Sequence, residues 1–299
     1  MNFNEQSCKA NLPKCHFCAV CDGRGCLGEM PGMGGVFQNK NFIANCDAWR
    51  QYTTESLDMP ALRLAPITGA VENVGWHDEK SFYEELLAAC FEAGLALSIG
   101  DGCPDAKLLY GIETLRNLRA KAAVFIKPYP DEVFFKRLNW ASDVAEIFGI
   151  DIDSYNIITM RQQVHLEKKT PEQLLKIKSH ISRPFALKGV FTPSDLETVV
   201  AVKPDIVVIS NHGGRVETIP GSTADFLAQH FKTLKNYCGE VWIDGGLRSS
   251  KDLQIAHSLG ASTCMIARPI ISALLQGGKD AVFTVCKNFG LSAPAPQKS

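Results

Sequence analysis

Eight short apolar runs, a helix-like stretch after almost every one of them, and a chain of 299 residues predict an α/β fold: a TIM (β/α)8 barrel with an N-terminal cysteine-rich extension. Strands that alternate with helices form right-handed βαβ units on a parallel sheet, and eight such units are the number that closes a barrel. An open doubly wound sheet is the alternative, with its ligand at a switch point rather than at every strand end. The expected organisation is an arm and linker over 1–59, the barrel over 60–290 and a disordered tail over 291–299.

The arm carries six of the eleven cysteines, and four of them, Cys15, Cys18, Cys21 and Cys26, are spaced C-x2-C-x2-C-x4-C, with Cys8 upstream and Cys46 downstream. Four soft thiolates at that spacing can reach one ion, so an iron-sulfur cluster or zinc is an expected occupant, with reduced free thiols as the alternative. Pro31-Gly32-Met33-Gly34-Gly35 follows no strand and opens no clear helix, so it reads as a linker and not a nucleotide loop. The segment from Asn39 to Arg50 is expected to form a short helix across the bottom or side of the barrel.

The strand candidates are Arg63 to Ile67, Leu95 to Ile99, Ala123 to Lys127, Ile147 to Ile152, Phe185 to Lys188, Ile206 to Ser210, Val241 to Asp244 and Thr263 to Ala267. Helix-like stretches run from Glu79 to Glu92, Asp105 to Leu118, Asp131 to Glu146, Pro171 to His180, Pro193 to Val202, Thr223 to Tyr237 and Ser250 to Leu259. Several open on Asp, Ser or Pro, as helix N-termini do.

A barrel gathers its chemistry at the C-terminal ends of its strands. Those ends carry Thr68 and Gly69, Ser98, Lys127, Asp151 and Asp153, Lys188, His212 and Arg215, Asp244 to Arg248, and Arg268. The strongest stretch is Ser210-Asn211-His212-Gly213-Gly214-Arg215, where a β-branched strand opens abruptly into a loop. A histidine there can exchange a proton near neutral pH, and an arginine three residues on can grip a carboxylate. Asp244-Gly245-Gly246-Leu247-Arg248 and Arg268-Pro269 follow the last two strands, where barrels bind phosphate through loop amides, a helix N-terminus and basic side chains.

The formal net charge of -1 gives no electrostatic footprint for nucleic acid or an anionic membrane, and no apolar run reaches the roughly 20 residues needed to span a bilayer. The start, Met1 to Gln6, lacks the basic and apolar segments of a signal peptide, so a cytoplasmic location is expected. His165, His180, His230, His257 and Lys168-Lys169 read as solvated surface.

Phe185-Ala186-Leu187-Lys188-Gly189-Val190, the stretch from Ser210 to Arg215, Asp244-Gly245-Gly246-Leu247-Arg248 and Ala267-Arg268-Pro269, in this order and spacing, resemble the FMN-dependent α-hydroxy acid oxidase and dehydrogenase family. The cysteine-rich arm resembles that of a shorter bacterial branch. The resemblance implies FMN as cofactor, a small 2-hydroxy acid as substrate, an electron acceptor left open, and a homo-oligomer. It implies His212 as catalytic base, Asp153 as its partner, Arg215 on the substrate carboxylate and Lys188 beside the flavin. The further cofactor contacts it implies are Thr68, Gly69, Ala70, Ser98, Lys127, Asp151, Ser210, Gly213, Asp244, Gly245, Gly246, Arg248, Ala267 and Arg268, with Tyr129 and Arg161 as further substrate contacts.

The chain departs from the family pattern at Lys127 in place of glutamine, Asp151 in place of threonine, Ala267 in place of glycine, and in the missing N-terminal tyrosine. Those departures keep a second reading open: an FMN-binding redox protein on the same barrel with a different or lost reaction, sensor or isomerase-like.

Overall fold

The computed structural model describes residues 40–71, 76–156, 164–216 and 219–291. Cys15, Cys18, Cys21 and Cys26, the 31–35 linker, Arg161 and the tail from 292 lie outside the described residues.

The apolar runs become eight parallel strands: β1 (Ala61–Leu64), β2 (Ser98–Ile99), β3 (Ala122–Ile126), β4 (Ala145–Asp151), β5 (Phe185–Val190), β6 (Ile206–Ile209), β7 (Glu240–Ile243) and β8 (Thr263–Ile266). The sheet runs β1-β8-β7-β6-β5-β4-β3-β2. Its two ends meet through one parallel bridge, Arg63 to Ala96, so the sheet curls into a barrel.

Helix α1 (Lys40–Ala48) precedes the barrel, and eight more helices alternate with the strands among the described residues: α2 (Glu79–Glu92), α3 (Ala106–Leu118), α4 (Asp131–Trp140), α5 (Pro171–Ser179), α6 (Pro193–Val202), α7 (Thr223–Lys235), α8 (Ser250–Ser258) and α9 (Arg268–Asn288). The starts are written in the sequence. Thr170, Thr192 and Ser249 cap α5, α6 and α8 in reciprocal capping boxes with Gln173, Asp195 and Asp252, which satisfies amides a helix end would leave bare.

Two cores result. Ala65, Ala123, Phe125, Ala186, Ile206, Val208, Trp242 and Met265 form one cluster of alternate strand residues in the barrel interior. The larger cluster, including Leu64, Val124, Ile126, Leu187 and Val207, packs the outer strand faces against the helices. Gly149 is bare because a Cβ there would lie 2.4 Å from the Phe125 ring.

Three expectations need correction, and one helix adds to them. α4 stops at Trp140 because Ala141 to Val144 turn, with the Val144 amide on the Ala141 carbonyl, and the chain from Ala145 is committed to the ladder between β3 and β5. The final helix α9, bent at Gly277 and Gly278, was not foreseen. Lys169 is not solvated: its buried ammonium pairs with Asp131 at 3.2 Å and Glu167 at 3.1 Å, tying the start of α4 to the segment before α5. Helix α1 lies neither at the bottom nor at the side; it crosses the loops that follow β6 and β7, at the mouth where the strands end.

Candidate active site at the barrel mouth

Thr68, Lys188, His212, Gly213, Arg215, Asp244, Gly245, Gly246, Arg248, Ala267 and Arg268 line one cleft at the C-terminal ends of the strands. They come from the ends of β1, β5, β6, β7 and β8, so residues far apart in sequence converge because the strands are parallel and in register.

The acid-base centre sits between β4 and β6. Asp153 lies just beyond β4, buried, and both its carboxylate oxygens are 3.1 Å from His212 Nδ1. Burial lifts the Asp153 carboxyl to about 6 against the pull of Lys188. Burial, then the charges of Lys188, Arg215 and Lys127, hold the imidazole well below its usual range. At neutral pH the pair is therefore carboxylate and neutral imidazole. The carboxylate accepts a hydrogen bond from Nδ1–H, which leaves Nε2 as a free base, the tautomer that proton abstraction needs. His212 itself has φ +58, a left-handed conformation that a non-glycine residue adopts at a cost and that clusters at functional sites.

Lys188 anchors the middle of the cleft. Its ammonium lies 3.3 Å from Asp151, 3.5 Å from Asp244 and 3.3 Å from Ser210 Oγ. Burial alone would lower its affinity for the proton, but Asp151, Asp244 and Asp153 outweigh burial and keep it charged. Ser210 donates to Asp244 Oδ2 at 2.8 Å. Arg215 is drawn down to about 10 by burial, still a cation at neutral pH.

Several groups here are built to be bonded and are not. Asp244 Oδ1 and Arg215 Nε on the cleft, and Ser98 Oγ on β2 outside its lining, are buried without a hydrogen-bond partner among the described residues. Each such atom costs roughly 1–3 kcal/mol if left so, which fits a mouth made for a polar ligand. Arg248 and Arg268 line another part of the cleft, where α9 begins with its positive dipole end. That part suits a phosphate and the Asp244 side a polyol, so the residues present fit FMN.

A cation is a poorer occupant. Asp151, Asp153 and His212 offer ligand atoms within 4.8 Å of one another, but the Lys188 ammonium already neutralises Asp151, and Lys127 and Arg215 add repulsion.

Some expected residues stand apart from the cleft. Lys127 is buried behind it, with Asp151 and Asp101 as compensating charges, and burial lowers its affinity for the proton. Gly69 turns the chain with φ +75, and Ala70 is fully buried. Tyr129 is not brought together with His212: its ring lies 4.4 Å from the Arg137 guanidinium, and its hydroxyl is buried near Asp101, Cys103 and Asp105. Arg137 bonds both Asp101 and Asp105, closing a network on the β2 and β3 side.

Residues the sequence reading passed over are Asn41, Phe42, Asn45 and Trp49 of the α1 segment. Phe42 lies 4.1 Å under the Arg268 guanidinium and 5.9 Å from that of Arg248, and Trp49 Nε1 donates to the Gly245 carbonyl at 2.9 Å. The available signal was two asparagines four apart with a phenylalanine between them, one helical face carrying amides where apolar residues are usual.

A family model described as FMN-dependent dehydrogenase matches residues 115–290. The chain is 35% identical over 115 residues to a 4-hydroxymandelate oxidase of Amycolatopsis orientalis, covering 38% of this chain and 31% of that protein. It is 37% identical over 110 residues to a 2-hydroxyacid oxidase of Dictyostelium discoideum, covering 36% of this chain and 28% of that one. The matched stretch thus spans about a third of the length of these curated relatives. In three dimensions, a crystal structure of a mandelate oxidase variant superposes with a TM-score of 0.61 at 19% identity, over 86% of this chain and 88% of that one, a likeness of fold.

Proposed function

Because this chain belongs to the FMN-dependent dehydrogenase family, we propose that it oxidises a small 2-hydroxy acid to the 2-keto acid, with His212 as the base. The observation that carries this reading is His212, 3.1 Å from the buried Asp153 beyond β4, on the same loop as Arg215 and in the same cleft as Arg248 and Arg268. When bound, FMN supplies the two-electron acceptor for the substrate's α-hydrogen. Arg248, Arg268 and the Gly245-Gly246 loop would hold its phosphate, Asp244 and Ser210 its ribityl hydroxyls, and Lys188 a negative charge on its ring.

The remaining chemistry belongs to the chain. Arg215 grips the substrate carboxylate and so fixes which hydroxyl faces His212. His212 Nε2 takes the hydroxyl proton, and Asp153 stabilises the imidazolium that forms. Burial of the whole group excludes water and strengthens each of these charges. The same reading takes the protein to be a cytoplasmic homo-oligomer, which fractionation and sedimentation would check.

Turning the FMN-loaded chain over a panel of 2-hydroxy acids with a dye acceptor, and assaying the 2-keto acid formed, tests the proposal. Product from at least one acid, lost in His212→Ala, supports it. Bound FMN with no product from any acid moves the protein to the second reading, a flavin protein with another reaction. The turning of Tyr129 toward Asp101 and Cys103 is the observation that favours that alternative.

A further inference from the structure

Helix α1 is attached to the barrel mouth by hydrogen bonds more than by an apolar face. Its buried positions are Asn41, Phe42, Asn45 and Ala48. A buried amide is costly unless its donors and acceptors are met, and here they are met by the two loops that carry the site.

Asn45 is 0% exposed and sits at the junction. Its Nδ2 donates to Asn211 Oδ1 at 2.7 Å, and Asn211 Nδ2 donates back to Asn45 Oδ1 at 3.1 Å. The Thr223 amide donates to the same Asn45 oxygen at 3.0 Å. Asn211 Oδ1 also accepts the Gly214 amide at 2.9 Å. One carboxamide therefore closes the turn that carries His212 and ties it to α1. That turn runs through φ +58, +66 and +92 at His212, Gly213 and Gly214, a conformation that persists only when its surroundings over-determine it.

The second loop is held by contact. The Asn45 carboxamide nitrogen lies 3.1 Å from where a Cβ on Gly245 would stand, and the backbone carbonyl oxygen of Asn45 lies 1.8 Å from where one on Gly246 would, so the backbone of the Asp244 to Arg248 loop rests directly on the Asn45 side chain and on α1. Asn41, one turn earlier, holds the far side of the first loop through the Val216 carbonyl at 2.7 Å and the Ile219 carbonyl at 2.9 Å.

We propose that the Asn45 side chain is a positioning group: through Asn211 it sets the turn that aims His212, and through its seat on Gly245 it sets the loop that presents Arg248. The inference rests on the function proposed above for His212, but its test has a part that does not.

The experiment uses the full chain as wild type, Asn45→Ala, Asn45→Asp, Asn211→Ala and the double alanine variant. Hydrogen exchange of the FMN-free chain should speed up by about tenfold or more over 210–216 and 244–248 in Asn45→Ala, the equivalent of one lost buried hydrogen bond, with β5 and β6 unchanged. Asn45→Asp keeps the size but cannot donate to Asn211 Oδ1, so it should show the same local loosening; it decides the question if the alanine variant does not fold.

In the loaded protein, reduction by a saturating 2-hydroxy acid should slow by a similar factor, and the double variant should be no slower than the slower single one, because the two asparagines act through each other. Exchange within twofold of wild type at both loops, loosening spread evenly into β5 and β6, or additive losses would each overturn the proposal. Should no acid reduce the wild-type flavin, the function proposal fails by itself. Exchange and an FMN titration then decide, with at least fivefold weaker binding expected in Asn45→Ala and unchanged binding contradicting it.

Discussion

The barrel holds buried polar groups at both ends, and the two ends treat them differently. At the N-terminal end Arg63 reaches across the interior from β1. Its guanidinium bonds the Leu97 carbonyl, pairs with Glu146 at 2.8 Å and lies 5.2 Å from the centre of the Trp242 ring. It is satisfied by protein alone. At the C-terminal mouth Lys188, Asp153 and His212 are paired as well, but Asp244 Oδ1 and Arg215 Nε find no hydrogen-bond partner among the described residues. Charge inside a barrel is thus no sign of a site by itself. Unused polar capacity gathered in one cleft beside a base and an arginine is the sign.

The difference can be broken from either end. The largest effect is expected from Asp153→Asn at the mouth. The amide cannot fix the same tautomer of His212 or steady its charged form, so turnover should fall by about 10²–10⁴-fold while the melting temperature holds.

The pH profile sharpens the same point. Burial sets Asp153 at about 6 and holds His212 low. The competent pair is therefore complete above about pH 6 and is lost as pH falls through that value, which gives turnover an acid limb near 6. Lys188→Met removes the strongest positive charge acting on both His212 and Asp153, so the acid limb should move toward higher pH.

Arg268→Ala comes next. Losing one charge-assisted contact to a phosphate should weaken FMN by roughly ten- to a hundredfold, about 1.5–3 kcal/mol, as read by fluorescence titration. The smallest functional effect belongs to the other end. Arg63→Met should leave FMN affinity and turnover within twofold and lower stability by about 1–3 kcal/mol, as read by denaturant unfolding. A loss of FMN affinity there would erase the distinction between the two ends.

How much of this the residues announce depends on what each position must satisfy. β5 to β8 are legible because each carries a short, mostly apolar buried run that gives way to polar, charged or glycine residues at its C-terminal end. The helix starts are legible because Thr170, Thr192 and Ser249 are cap residues with their partners three positions on.

The end of α4 is not, since the residues beyond Trp140 suit a helix locally and only the ladder with β3 and β5 overrules them. The place of α1 is hidden for a related reason. Asn41 and Asn45 look like a solvent face until the loops that bond them are known. Side-chain direction is the other blind spot. Tyr129 lies only two residues beyond Lys127, yet the tight turn between them sends its ring to Arg137.

The most direct test of the central claim is an anaerobic visible spectrum of the FMN-loaded chain, before and after each of a panel of 2-hydroxy acids, for wild type and His212→Ala. The mouth read as a hydroxy-acid site predicts that at least one acid bleaches the flavin band in wild type and that the variant bleaches about 10²–10⁴-fold more slowly. Equal bleaching in both proteins would contradict the role given to His212, and a chain that takes up no FMN would contradict the site.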